Sequence, residues 1–255
     1  MRGGIWLFVL LTGMGALMST ARAEQLTVAV ASNFAPVMKA IVPSFEQQTG
    51  HQVKLIFASS GKIYAQIRHG APYDMFFSAD QKTPQALERD GETLSGSRLT
   101  YAIGRLALWS PKTGLALNDG QILADDQIKK LAIANPRLAP YGLAAQEVLQ
   151  ALGLWDKVAP RLVRGENIAQ TYHFVSSSNA DLGFVALSQV RQNGAGTCWI
   201  IPDSLYSPLR QDAVILKHAG HNPAAPALLA YLQQPDVRRT LKAFGYRLPE
   251  TKGDS

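Results

Sequence analysis

Two pairs of small polar residues carry the chemistry of this sequence. Ser32-Asn33 follows the apolar run Leu26 to Ala31, and Ser59-Ser60 follows Val53 to Phe57, each just ahead of a segment with helical patterning. Serine and asparagine at such places cap helices by accepting the first free N–H groups, and that reading suffices for either pair alone. Two pairs at the ends of adjacent parallel strands would do more. Their hydroxyls, exposed backbone N–H groups and two positive helix ends would converge on one crevice, a ready site for an anion.

The familiar catalytic sets are missing. Ser60-Gly61-Lys62 has Ile56 where a phosphate loop needs its first glycine, and Ile63 where it needs a hydroxyl. His218 and His221 make at most half a metal site, and no third ligand is near in sequence. His51, His69 and His173 are isolated and read as solvated. Cys198 is the single cysteine, so no internal disulfide can form, and it reads as a buried small hydrophobe. Asp80 reads as the N-cap of a helix over 81–90 rather than as half of a carboxylate pair with Asp74. No Gly-x-Ser-x-Gly elbow occurs. Nothing assembles a general acid, a base and a nucleophile, so a binding protein is expected rather than an enzyme, with no cofactor and no metal held directly by side chains.

The elements that must position the two pairs come from a chain of 255 residues, 47% hydrophobic and 17% charged. That composition excludes long disorder and coiled coil. The net charge is +6, yet the basic residues are scattered, with nothing denser than Lys129-Lys130 or Arg238-Arg239, so no nucleic-acid partner is expected. Arg2, an apolar run from Ile5 and the small-x-small triplet Ala21-Arg22-Ala23 predict a signal peptide over 1–23. Gly13 and Gly15 interrupt a stretch already short of the roughly 20 apolar residues a bilayer requires. Cleavage would leave 232 residues beginning at Glu24; without Arg2 and Arg22, 23 basic residues face 19 acidic ones, a net +4. Export without disulfides points to the periplasm.

From Glu24 the chain alternates strand and helix, which predicts α/β architecture with mainly parallel sheets flanked by helices. Pro43 predicts a kink in the first helix. Tyr101 to Trp109 reads as one long apolar strand. A second alternation then begins near Leu131. We expect two lobes, the first formed by 24–104 with 211–255 and the second, 105–210, inserted into it, with crossings near Gly104 and Gln211. Ligands in such folds sit where strand carboxyl ends and helix N-termini meet.

Five segments give the sequence a family resemblance: Ala29-Val-Ala-Ser-Asn-Phe34, Phe57-Ala-Ser-Ser-Gly61, Gly70-Ala-Pro-Tyr-Asp-Met-Phe-Phe-Ser-Ala-Asp80, Asn135-Pro136 with Ala139-Pro-Tyr-Gly142, and Asp181-Leu-Gly-Phe-Val-Ala186. On these the chain resembles the periplasmic molybdate/tungstate-binding proteins (ModA) of ABC transporters over nearly its whole mature length. The resemblance implies a two-lobed, type II periplasmic binding protein. It implies a monomer that captures molybdate or tungstate and delivers it to a membrane permease, the molybdenum being held as its oxyanion. Position by position it implies ligand contacts at Ser32 and Ser60, the backbone N–H of Asn33, Tyr141 from the second lobe, and the backbone N–H of Ile168. One departure stands out. Many members carry a tyrosine where this chain has Ala186, and Tyr141 stands where they have a small residue, so the phenol is expected from the other side.

A fully deprotonated dianion can be held by donors alone, because hydrogen bonds to a charged group contribute roughly 1.5–3 kcal/mol each. Hydrogen phosphate carries a donor of its own, which a site without a well-placed acceptor disfavours. Sulfate presents the same acceptors as molybdate, and a sulfate receptor is the main alternative. An exported α/β enzyme and a cation receptor are the others.

Overall fold

The computed structural model describes residues 23–191 and 195–250. The expected signal peptide falls outside them, save for Ala23. Two five-stranded sheets are present among the described residues. The first sheet takes β1 (Gln25–Ala31), β2 (Gln52–Ala58), β3 (Met75–Phe77), β4 (Leu99–Gly104) and β10 (Leu209–Ile215), in the order β2-β1-β3-β10-β4. The second takes β5 (Leu106–Ser110), β6 (Leu131–Ala134), β7 (Leu162–Gly165), β8 (Leu182–Ala186) and β9 (Thr197–Ile200), in the order β7-β6-β8-β5-β9. Each sheet has a parallel trio, β2-β1-β3 or β7-β6-β8, joined to antiparallel strands.

Strand periodicity places the core on both faces of each sheet. Leu26, Val28 and Val30 of β1 pack beneath α1 (Ala35–Thr49), α8 (Ala224–Tyr231) and α9 (Pro235–Ala243), while Ala29 faces Ile63 and Ile67 of α2 (Ser60–Arg68) and Leu87 of α3 (Lys82–Arg89). In the second sheet Leu182, Phe184 and Ala186 of β8 face α4 (Pro140–Ala151) and α5 (Trp155–Val158). On the other side, Val185 lies with Val175 of α6 (Ile168–Ser176) and with Leu187 and Val190 of α7 (Leu187–Val190).

Several expectations are corrected. The run Tyr101 to Trp109 is two strands, because β4 ends at Gly104 in one sheet and β5 starts at Leu106 in the other. Hydropathy cannot reveal such a switch, since both strands are buried. α1 runs from Ala35 to Thr49 and holds Pro43 inside it. Cys198 is exposed on β9, at the edge of its sheet. His51 is buried, and its Nδ1 accepts the Glu24 N–H at 3.2 Å. The helix near Asp80 begins at Lys82, yet Asp80 still closes its first turn by accepting the Thr83 N–H at 2.9 Å and the Thr83 hydroxyl at 3.0 Å.

Candidate functional site

Register brings the polar pairs together. Ala31 of β1 lies opposite Ala58 of β2 in a parallel pair, so the chain leaves both strands at the same level and Ser32-Asn33 runs beside Ser59-Ser60. The second sheet repeats the device. Ala134 of β6 pairs with Gly165 of β7, so the loop leading into α4 lies beside the one leading into α6. The two sets of strand ends face each other across one small cavity of about 10 Å3, lined by Ser32, Asn33, Ser59, Ser60, Tyr141 and Ile168 together with Ala31, Ala79, Ala139 and Pro140. All five expected contact residues therefore meet there, each buried. A larger groove of about 500 Å3 runs along the same boundary between the sheets, but Asp80, Lys82, Arg137, Glu147 and Arg210 line it. Among the described residues, no carboxylate and no cationic side chain lines the small cavity.

Its donors are kept available by what their neighbours do. Asn167 is the N-cap of α6, and its side chain accepts from the N–H groups of Ala169 and Gln170, both at 3.0 Å. The Ile168 N–H lies ahead of both capped amides, where the helix gives it no carbonyl partner, and Ile168 is one of the residues that line the cavity. At α4, Pro140 occupies the first turn and Ala139 is an N-cap with no side-chain acceptor. Gly142 lets this helix start close against β6, because a Cβ there would press into the Ala134 carbonyl.

Serine geometry differs from simple capping. Ser60, expected to cap α2, is the helix's first residue, and its Oγ accepts the Ala79 N–H at 2.9 Å, which leaves its proton to donate. The N-cap is Ser59, whose side chain caps nothing; its Oγ is buried with no hydrogen-bond partner among the described residues. Buried hydroxyls are seldom left unpaired. Sequence reasoning treated Ser59 as a capping residue, and nothing in its local pattern distinguishes a serine that caps from one that does not.

The other two side chains are tied into a buried network. Asn33 Nδ2 donates to Gln211 Oε1 at 2.9 Å and to the Tyr246 hydroxyl at 3.1 Å, which commits both of its amide protons. The Tyr141 hydroxyl accepts from Gln211 Nε2 at 3.2 Å. Burial pushes the Tyr141 phenol well above its ordinary value, neighbouring Tyr246 adds to the rise, and the Gln211 bond opposes it; burial likewise pushes Tyr246 up to about 12. Both phenols therefore stay protonated and neutral around neutral pH.

The lobes touch around the cavity. The Gly61 N–H of α2 donates to the Leu138 carbonyl at 2.9 Å, Lys62 meets Glu166 at 3.3 Å, and the Ser188 hydroxyl donates to the Asn33 carbonyl at 2.9 Å. Ala31 and Ala79, from the first sheet's side, join the hydrophobic cluster of the second. This is a closed arrangement with the donors brought inward.

Residues 26–247 match the family model described as bacterial extracellular solute-binding protein. The chain is 48% identical over 243 residues to the molybdate-binding protein ModA of Azotobacter vinelandii, covering 94% of this chain and 96% of that one. The chain belongs to the ModA family of bacterial extracellular solute-binding proteins. Within this family it is also 40% identical over 246 residues to ModA of Rhodobacter capsulatus, covering 96% of each chain. The structure of the Azotobacter vinelandii periplasmic molybdate-binding protein superposes with a TM-score of 0.85 at 44% identity, covering 88% of this chain and all of that one. The family's two-lobed, type II fold is the one built here from two sheets flanked by helices.

Proposed function

We propose that this protein captures molybdate or tungstate outside the cytoplasm, as a monomer, and delivers it to the membrane permease of an ABC importer. In this reading residues 1–23 are removed as a signal peptide and the mature chain works in the periplasm. The lobes are 24–104 with 211–255, and 105–210. Ser32, the Asn33 N–H and Ser60 hold the oxyanion from the first lobe; Tyr141 and the Ile168 N–H hold it from the second. The observation that carries the reading is a buried cavity between strand ends that offers donors and neither a carboxylate nor a cation. Such a lining suits an anion that brings only acceptors. It offers no activated nucleophile, which is why binding rather than catalysis is proposed.

Calorimetric titration of the mature chain tests it: molybdate and tungstate should bind tightly, and phosphate should not. Tight binding of sulfate with none of molybdate would transfer the site to the other tetrahedral oxyanion. Because the donors come from both lobes, the radius of gyration from small-angle scattering should fall on adding molybdate; an unchanged radius would show that no closure accompanies uptake.

Ser60→Ala should weaken molybdate binding by roughly 1.5–3 kcal/mol, the loss of one hydrogen bond to a charged group. The same change strands the Ala79 N–H, so melting temperature should also fall. Lowered stability with unchanged affinity would reduce Ser60 to a structural residue.

A further inference from the structure

Gln211 has no place in the set of ligand contacts, yet it sits where the chain returns from the second sheet to the first. It is fully buried on β10, next to the register shift between Gln211 and Asp212. Asn33 Nδ2 donates to one end of its amide at 2.9 Å, and the Tyr101 hydroxyl lies 3.0 Å from the same end. That end is therefore the oxygen, and the Nε2 end turns to the Tyr141 hydroxyl at 3.2 Å. A flip would set Nε2 against Asn33 Nδ2, donor against donor, and lose that bond. Tyr101 is itself anchored, because its hydroxyl also lies 2.9 Å from the Ser78 carbonyl. Asn33 is held as firmly: Tyr246 and Ser188 hydroxyls both lie 2.9 Å from its carbonyl oxygen.

We propose that Gln211 is a positioning residue for oxyanion capture, its amide linking Asn33 of the first lobe to Tyr141 of the second as the lobes close. The inference rests on the oxyanion reading of the cavity and adds a residue to it. By donating to the Tyr141 oxygen, Gln211 fills that oxygen's acceptor side and turns the phenolic proton away from β10. By accepting from Asn33, it holds the backbone that carries the Asn33 N–H. The bond to Tyr141 spans the two lobes, so opening must break it and closure must remake it. Gln211 thus favours the closed, loaded state over the open one.

The test is a double-mutant cycle read by calorimetric titration with molybdate. Gln211→Met keeps the side chain's length and removes its amide. It should bind about ten- to a hundredfold more weakly than the parent, the factor expected for one hydrogen bond felt by a charged ligand. Tyr141→Phe should lose a similar factor, and the double variant should be no weaker than the weaker single one, because the first change already removes what the second acts through. A purely structural glutamine would lower melting temperature without that saturation. Should Gln211→Met fail to fold, Gln211→Asn keeps an amide but draws it back by one methylene from Tyr141, and the same loss and the same saturation are expected. Parent-like affinity in the Gln211 variants, or losses that multiply in the double variant, would overturn the role given to Gln211 and leave the oxyanion reading standing. A parent chain that binds no molybdate would overturn both.

Discussion

Gly104→Val is expected to cost the protein its tight oxyanion binding while leaving both lobes folded. Gly104 ends β4 at the first crossing, and a Cβ built there would overlap the Tyr141 hydroxyl and come within 2.5 Å of Gln211 Nε2. Gln211 belongs to the same sheet and can shift its amide aside. Tyr141 comes from α4 of the other lobe, and its approach to Gly104 belongs to the shut arrangement. The clash therefore falls on the closed form. Overpacking a tight contact costs about 1–3 kcal/mol for small insertions, and valine adds three carbons. Affinity should drop by more than about 3 kcal/mol, over a hundredfold. Scattering should show a radius of gyration that no longer responds to molybdate. Parent-like binding by Gly104→Val would mean that the hydroxyl of Tyr141 need not approach this crossing in the loaded state.

Arg98→Met should produce the largest loss of stability. Asp212 is fully buried beside Gln211, and its carboxylate accepts from Thr100 at 2.6 Å, Gln81 at 3.1 Å and Arg98 at 2.9 Å. Arg98 is the cation of that set, and it also pairs with Glu88 at 2.8 Å. Removing it strands a buried charge with two neutral donors. Breaking one side of a buried pair typically costs 3–5 kcal/mol, and the partial exposure of Arg98 puts the expectation near the lower end, at about 3 kcal/mol. Chemical denaturation would measure it. Adding Asp212→Asn to Arg98→Met should recover much of the loss, since no charge then remains to be stranded. A double variant no more stable than Arg98→Met alone would show that packing, not charge, accounts for the effect.

How far the sequence could be read varied with how local the determining forces are. β1, β2 and β3 were legible because short apolar runs ended by Ser32-Asn33, Ser59-Ser60 and Ser78-Ala79 have few other ways to fold. The pairing of the first two strand ends followed from their parallel course. The split of Tyr101 to Trp109 was not legible, because Gly104 changes sheets inside an unbroken apolar run. Cys198 escaped prediction because exposure on an edge strand depends on which strand is missing beside it. Tyr141 was singled out through the family resemblance; its own neighbourhood, Pro140-Tyr141-Gly142, indicates a helix start and nothing of where the ring points. Gln211 had a faint signal, since Gln211-Asp212 is a polar pair inside the otherwise mainly apolar run Leu209 to Ile215. Its partners lie 70 to 178 residues away, beyond any local pattern.

The lining of the cavity has a consequence for the energetics of loading. Of the described residues that line it, Tyr141 alone has a side chain that ionises, and burial raises that phenol well above its ordinary value. No side chain in this lining is therefore expected to take up or release a proton when a dianion enters. The heat of loading then belongs to the anion and its lost hydration shell, with no contribution from the ionisation enthalpy of the buffer, and cargo capture is thermodynamically unlinked from proton exchange at the site.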